Sequence, residues 1–211
     1  MSLFINQCSS ATSPAQNEPK TNSVEANLHR PLHIERVQPQ DYCKIEQIAK
    51  KWEAIAGDKI NMTNRSEDPT AWSLLSDCEG VAREIAFYCH IQPDVDDISD
   101  LYVCKDTTGE IYGIAIGYKD SPTTFHGNLL VTHPINIRCK ANLLEKKRVE
   151  GVGRTFINFV ETEMSKQKIN TLSLVPLSSA ESFYLKFGFK LINNATMAKS
   201  IPTSPNISSK L

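Results

Sequence analysis

The chain has 211 residues, and its 23 Lys and Arg against 24 Asp and Glu give a formal net charge of -1. That balance excludes a protein whose main task is to coat nucleic acid, because such domains carry a strongly basic face. It equally excludes an acidic disordered protein. The longest apolar stretch, 111–118, is far shorter than the roughly 20 residues that a membrane helix needs.

The ends of the chain and its cysteines indicate the extent of the folded unit and its compartment. Residues 1–30 are rich in Ser, Thr, Asn, Gln and Pro and begin without a secretory signal, so we expect a disordered N-terminal tail. Residues 201–211 are similar and predict a flexible C-terminal tail, which leaves one domain over 31–200. The six cysteines are too widely spaced for a zinc ribbon or a redox Cys-x-x-Cys motif. Free thiols in the cytoplasm are the expectation.

The first half of the domain predicts one strand and two helices. Residues 32–37 alternate apolar and polar side chains, as a half-buried strand does. A helix then opens near Pro39, and Gly57 is predicted to end it. After a polar loop, a second helical region covers about 70–90, in which Gly80 lowers helix propensity or marks a break into two helices.

From residue 100 onward the apolar pattern predicts mainly strands. Residues 100–105 and 110–118 are strands of a hairpin, and 128–132 is a third strand. An amphipathic helix, a strand, a short helix with a Ser178–Glu181 capping box and two closing strands follow. This order predicts an α+β fold, a mixed α/β layer with a largely antiparallel sheet. The later predicted elements are the helix 153–167, the strand 171–175, the short helix ending at Gly188, and the strands 189–192 and 196–201.

The most informative stretch is Arg148-Val-Glu-Gly151-Val-Gly153-Arg154, which opens the predicted helix over 153–167. A glycine-rich turn at a helix N-terminus is typical of an anion site, because several backbone N–H groups point outward and the helix dipole adds about half a positive charge. The glycines alone also fit a simple loop-to-helix turn. They lack the third glycine of a dinucleotide fingerprint and the Gly-Lys-Ser/Thr of a P-loop.

Two stretches together resemble the GNAT superfamily of N-acetyltransferases. Arg148-x-x-Gly151-x-Gly153 is similar to the Gln/Arg-x-x-Gly-x-Gly/Ala motif that cradles the pyrophosphate of coenzyme A, and Ser182-Phe-Tyr184-Leu-Lys-Phe-Gly188-Phe189 is similar to the second signature. The resemblance implies a GNAT-like fold over 31–200, a central largely antiparallel sheet flanked by helices, and acetyl-CoA as co-substrate without a metal. The coenzyme A contacts that it implies are Leu130, Val131, Thr132, Arg148, Val149, Gly151, Val152, Gly153 and Arg154.

This chain departs from the superfamily pattern in two places. Residues 132–147 separate the strand at Val131 from Arg148, whereas most members pass from strand to glycine loop within a few residues. Leu177 lies where the family often has an asparagine, so one polar contact is in doubt. The insertion over 134–147 is expected near the mouth of the cofactor or acceptor site.

The resemblance also implies the chemistry. Tyr184 matches the tyrosine that gives a proton to the departing thiolate of coenzyme A, and a phenol is protonated at neutral pH; a core aromatic is the alternative. Backbone N–H groups of 130–132 would stabilise the oxyanion, unless this is an ordinary central strand. His133 is a candidate base or a loop histidine. Glu110 and Asp120 are further candidates that would act through water.

The predicted reaction is direct transfer of the acyl group to a primary amine in a ternary complex. A non-catalytic acyl-CoA sensor or interaction module and a nucleotide- or phosphate-binding domain are the alternatives. Residues 138–154 carry six basic and two acidic residues, a local charge of +4 suited to an anionic cofactor. Residues 94–110 carry six acidic residues and one lysine, a local charge of -5 that would attract a cationic amine. The acceptor is a small molecule or a protein, nucleic acid and membranes are not expected partners, and a homodimer stays open.

Overall fold

The computed structural model describes residues 31–91, 99–137 and 149–202, which form a seven-stranded sheet with two layers of helices. Short 3₁₀ helices cover Pro39–Asp41 and Pro134–Asn136. The helices are α1 (Tyr42–Met62), α2 (Pro69–Ile91), α3 (Val152–Lys166) and α4 (Glu181–Lys186). The strands are β1 (His33–Arg36), β2 (Asp100–Lys105), β3 (Ile111–Ser121), β4 (Thr124–Thr132), β5 (Thr171–Leu174), β6 (Lys190–Leu191) and β7 (Met197–Ser200).

The strands lie in the order β1-β2-β3-β4-β5-β7-β6, and every neighbouring pair is antiparallel except β4 and β5. A parallel pair needs a crossover connection, and the segment that holds α3 provides it. The predicted α+β fold with a largely antiparallel central sheet flanked by helices is confirmed. None of the helices in the described part of the chain is long and apolar enough to span a membrane.

Each face of the sheet is covered by a different pair of helices, because successive side chains of a strand point to opposite faces. On one face α1 and α2 pack over a cluster that includes Leu101, Ile114 and Val131. On the other face α3 and α4 pack over a cluster that includes Tyr102 and Leu130. Adjacent residues of β4 therefore belong to different cores.

The prediction that Gly57 ends the first helix is wrong, whereas the helix predicted over about 70–90 is present as α2, without the break that Gly80 left open. Helix α1 continues past Gly57 to Met62, and α2 runs through Gly80 without a break. Ala56 and Lys59 are buried where α1 packs on α2. This tertiary contact outweighs the roughly 1 kcal/mol by which a single glycine weakens a helix.

The predicted capping box of α4 is also wrong, although the helix itself is present. Ala180 is the N-cap, and no side chain caps this helix. The hydroxyl of Ser179 instead donates a hydrogen bond to Asp77 of α2. A partner far away in the sequence has thus replaced the local one. The predicted N-terminal tail 1–30 and most of the predicted insertion lie outside the described residues. Of the predicted C-terminal tail 201–211 only residues 201–202 are described, and Ile201 is buried.

Gly113 of β3 allows α3 to approach the sheet closely. A Cβ atom at this position would lie 2.6 Å from Phe156 Cε2 and 2.6 Å from Val152 Cγ1. We therefore expect Gly113→Ala to lower the free energy of unfolding by about 1–3 kcal/mol through overpacking, measured by urea denaturation. In the matched control Gly80→Ala no atom lies within 4 Å of the new Cβ, so this variant should gain about 1 kcal/mol. Equal effects would contradict the packing argument.

Candidate functional site

Strand β4 extends past the end of its parallel neighbour β5. Their parallel ladder covers four residue pairs, from Thr124 with Thr171 to Gly127 with Leu174. On its opposite edge β4 continues to pair with β3 as far as Thr132. Residues 128–132 therefore form an arm of β4 that pairs with β3 on one side and extends past the end of β5 on the other. The space beside this second side is the gap between β4 and β5.

A bulge lies where the pairing of β4 with β5 ends. Ile116 of β3 pairs with Leu129, whereas the next residue, Gly117, pairs with Gly127, so Asn128 is an extra residue in β4. A bulge bends its strand and increases the local twist. The bulge directly follows Gly127, the last residue that pairs with β5, so it bends the open arm of β4 (residues 128–132) relative to the paired part of the strand.

The open arm turns alternate backbone groups toward the gap. His133 N–H donates to the carbonyl of Tyr112 at 2.9 Å, and the antiparallel register then places the backbone groups of Val131 against Ile114 of β3. The backbone groups of Leu130 and Thr132 consequently point to the other side, away from β3. Of the three residues predicted to contact coenzyme A on this strand, these two have the orientation that such contacts need.

A cavity of about 50 Å³ lies beside the gap on the face covered by α3. Leu130 of β4, Leu174 of β5 and Phe156 of α3 line it, together with Phe189, which follows α4. An apolar cavity of this kind suits the aliphatic part of a ligand, while the backbone of β4 beyond the end of β5 suits its amides.

The predicted glycine turn starts α3. Gly151 is the N-cap residue with φ of +86°, a left-handed conformation that favours glycine, and no atom lies within 4 Å of the position of a Cβ. No side chain caps the helix, so the first N–H groups of α3 are available to an anion. Val149, Val152 and Gly153 are buried and hold the turn, and Arg154 is exposed. Arg148 and the predicted basic run Lys146–Lys147 lie outside the described residues.

Asn136 connects the end of β4 to this turn. Its Oδ1 accepts a hydrogen bond from Val149 N–H at 3.0 Å, and the side chain is buried. Sequence analysis missed this residue, because it lies 13 positions before its partner and within the predicted insertion. Asn136 therefore positions the start of the glycine turn relative to the open arm of β4.

Removing this brace should weaken both the fold and the turn. We expect Asn136→Ala to lower the free energy of unfolding by about 1–3 kcal/mol, because the buried N–H of Val149 loses its acceptor, and to weaken binding to the glycine turn. Urea denaturation and calorimetric titration with coenzyme A measure the two effects. Asn193→Ala, which removes a similar acceptor from an exposed turn, should leave coenzyme A affinity unchanged; equal losses would contradict the role of Asn136.

Tyr184 of α4 is fully buried, and its environment is apolar. Its ring packs edge to face against Phe189 at 5.4 Å and against Phe183 at 5.4 Å. Among the described residues its hydroxyl has no hydrogen-bond partner, although a buried hydroxyl usually has one. Burial raises the pKa of Tyr184 well above its usual value, so the group stays protonated and is a donor without an acceptor. Its neighbour Phe189 lines the cavity at the gap.

His133 follows β4 directly, and its ring packs edge to face on Trp52 of α1 at 5.1 Å. Its Nδ1 accepts a hydrogen bond from Ile135 N–H at 3.0 Å, so it caps the 3₁₀ helix Pro134–Asn136. In the neutral ring Nε2 then carries the proton. Because uptake of a second proton at Nδ1 would break the cap, the geometry favours a structural role for His133 over that of a base.

The remaining candidates fit the chemistry less well. Glu110 and Asp120 are exposed, and Asp120 lies at the end of β3 remote from the residues that pair with Thr132. Burial raises the pKa of Cys104 to about 12, which leaves it as a thiol and unsuited to forming an acyl-enzyme. The acidic residues 94–97 and Cys139 lie outside the described residues.

No known family model matches the chain, and no curated protein matches its sequence. Similar solved structures include an acetyltransferase of the GNAT family from Staphylococcus aureus Mu50, with a TM-score of 0.48 and 11% identity over 82% of this chain and 100% of that chain. They also include the ribosomal-protein-S18-alanine N-acetyltransferase from Escherichia coli, with a TM-score of 0.48 and 12% identity over 84% and 98%. Ard1 from Thermoplasma volcanium has a TM-score of 0.44 and 14% identity over 81% and 98%. A likeness at these values assigns no role to any residue of this chain.

Proposed function

We propose that this chain is a GNAT-superfamily N-acetyltransferase, which moves an acyl group from acetyl-CoA to a primary amine by direct transfer in a ternary complex. The observation that carries the proposal is the gap between β4 and β5. Their pairing stops at Gly127 while β4 continues to Thr132. In the chain, the glycine turn of α3 comes after β4, and helix α4 with Tyr184 comes after β5.

The residues around the gap fit acetyl-CoA in three ways. The uncapped start of α3 at Gly151 is open to a pyrophosphate, with Arg148 and Arg154 as candidate charge partners. The backbone of Leu130 and Thr132 can pair with amides of the pantetheine arm. The unpartnered hydroxyl of Tyr184 matches a sulfur acceptor that arrives with the co-substrate. Acetyl-CoA supplies an activated thioester carbonyl.

The protein's part in the reaction is to orient this carbonyl and stabilise the charges that develop. An N–H group of the open arm, at Leu130 or Thr132, would donate to the oxyanion, which lowers the barrier most when the donor is already in place. Tyr184 donates to the departing thiolate. Because burial raises the pKa of Tyr184, hydrogen-bond donation that ends in proton transfer to sulfur is favoured over any role as a phenolate.

The proposal also covers the cellular location of the enzyme, its acceptor and its independence of metal ions. The described cysteines are all free thiols, which supports the predicted cytoplasmic location. The acceptor is a small-molecule or protein amine, and the acidic cluster predicted over 94–110 favours a cationic one. No metal is required, since the oxyanion and the leaving group are both served by donors of the chain.

Thermal unfolding with added ligands, followed by thiol release, tests this function. We expect acetyl-CoA and coenzyme A at 100 times their Kd to raise the Tm by about 5–10 °C, and ATP to raise it much less. Thiol release with spermidine, lysine amide and a peptide with a free N-terminus then measures transfer. No shift with coenzyme A contradicts the proposal. An equal shift with ATP favours a nucleotide-binding domain, and a shift without thiol release favours the acyl-CoA sensor.

A further inference from the structure

Asp77 belongs to α2, which covers the face of the sheet opposite α3. Its contacts place it next to the gap between β4 and β5. The neighbouring residue Cys78 has its thiol 3.6 Å from the carbonyl oxygen of Thr132, the last residue of the open arm of β4. The carboxylate of Asp77 accepts a hydrogen bond of 2.5 Å from the hydroxyl of Ser179, which lies between β5 and α4. One turn of α2 thus contacts both the last residue of β4 and the segment that follows β5.

The partners of Asp77 distinguish it from other carboxylates of this helix layer. Glu79 forms an ion pair with Arg83, and Asp68 accepts from Ala71 N–H at the start of α2. Asp77 has no cationic partner among the described residues, and Ser179 bonds only its Oδ2. Oδ1 of this half-buried carboxylate accepts no hydrogen bond from the described residues.

We propose that Asp77 accepts the proton of the acceptor amine, and that Ser179 is the positioning residue that orients its carboxylate. This inference rests on the proposed function. A primary alkylamine is protonated at pH 7 and attacks only after it loses a proton. An anionic carboxylate with one oxygen unoccupied can both attract the ammonium ion and take that proton, directly or through one water.

The step balances without a further reactant. The amine nitrogen forms a bond to the acetyl carbon, and the bond from that carbon to sulfur breaks. The nitrogen loses two protons in turn: Asp77 Oδ1 takes the ammonium proton before attack and passes it to solvent, and then takes the second proton as the amide forms. The sulfur receives the proton of Tyr184. Asp77 thus passes two protons to solvent and Tyr184 takes one back, which restores both groups and releases one proton for each ammonium ion that is acetylated.

The electrostatic setting of Asp77 supports this role. Burial raises its pKa above the usual value for aspartate, and the hydrogen bond from Ser179 opposes the rise; no charged side chain contributes. A carboxylate with a raised pKa is a better proton acceptor at neutral pH. Since the folded pKa lies above the unfolded pKa, ionised Asp77 costs stability as the pH rises through the folded pKa.

Asp77→Asn separates proton transfer from structure. We expect kcat/KM with the best alkylamine of the panel to fall about 100-fold at pH 7, and turnover of hydroxylamine, which is largely neutral at that pH, to change less than about 3-fold. The deficit should shrink as the pH approaches 10, because the alkylamine then loses its proton unaided. The Tm should rise by about 1–3 °C at pH 7, and the shift with acetyl-CoA should be unchanged.

Two further variants complete the test. Ser179→Ala should lower alkylamine turnover about 5-fold, the equivalent of one hydrogen bond, without affecting hydroxylamine. Glu79→Gln, which removes a negative charge from the same helix, should change neither. The proposed role of Asp77 is wrong if Asp77→Asn lowers turnover of the alkylamine and of hydroxylamine equally, or if it keeps full alkylamine turnover. It is also wrong if acetyl-CoA no longer raises the Tm of this variant. A wild-type chain that binds no acetyl-CoA would instead overturn the proposed function itself.

Discussion

We expect the replacement of Gly151 by aspartate to weaken coenzyme A binding strongly while the fold is retained. We expect Gly151→Asp to weaken coenzyme A at least about 100-fold, equivalent to about 2.7 kcal/mol. The substituent enters open space at the N-cap of α3, since no atom lies within 4 Å of the Cβ position. It places bulk and negative charge where the first N–H groups of α3 would bind a pyrophosphate. Calorimetric titration measures the loss.

A second glycine provides a matched control for Gly151→Asp. Gly109, in the turn between β2 and β3, has φ of +84° and likewise nothing within 4 Å of its Cβ position. Gly109→Asp therefore has the same backbone strain, about 1 kcal/mol, at a turn that is not part of the N-terminus of α3. It should keep full coenzyme A affinity. If Gly151→Asp also keeps it, the pyrophosphate binds elsewhere, and if both variants lose it equally, the loss reflects instability.

Tyr184→Phe should lower the activity of the enzyme and raise its stability. We expect kcat to fall about 100-fold, because the thiolate loses its donor, while the affinity for coenzyme A stays nearly unchanged. The variant should also be more stable by about 1 kcal/mol, since it removes a buried hydroxyl that has no partner in the described structure. Thiol-release kinetics and urea denaturation measure the two effects.

Tyr112→Phe is the control for the loss of a buried tyrosine hydroxyl. Tyr112 is packed in the same core cluster as Tyr184, and its hydroxyl donates to Asp106 at 3.4 Å. Its replacement should lower stability by about 1 kcal/mol and leave kcat unchanged. If Tyr184→Phe behaves in the same way, Tyr184 is a core aromatic and its proposed role as acid is wrong.

The elements with strong periodicity were predictable from sequence. Alternation predicted the strands that became β2 and β3, and helical spacing predicted α3, because each burial pattern is local to its element. Gly57 misled the prediction, because the packing of α1 on α2 outweighs the weak helix propensity of a glycine. The capping box at Ser178 misled it as well, because Ser179 bonds to a residue 102 positions away.

The sequence by itself determined the order of the elements and the glycine turn at Gly151 that opens α3, because a turn, its glycines and the helix that it opens are adjacent in the chain. Only the tertiary structure decided which groups meet at the gap between β4 and β5. The bulge at Asn128 exists only relative to the register of β3. The bonds from Asn136 to Val149 and from Ser179 to Asp77 join distant segments, and no periodicity encodes a contact between segments that come together only when the sheet forms.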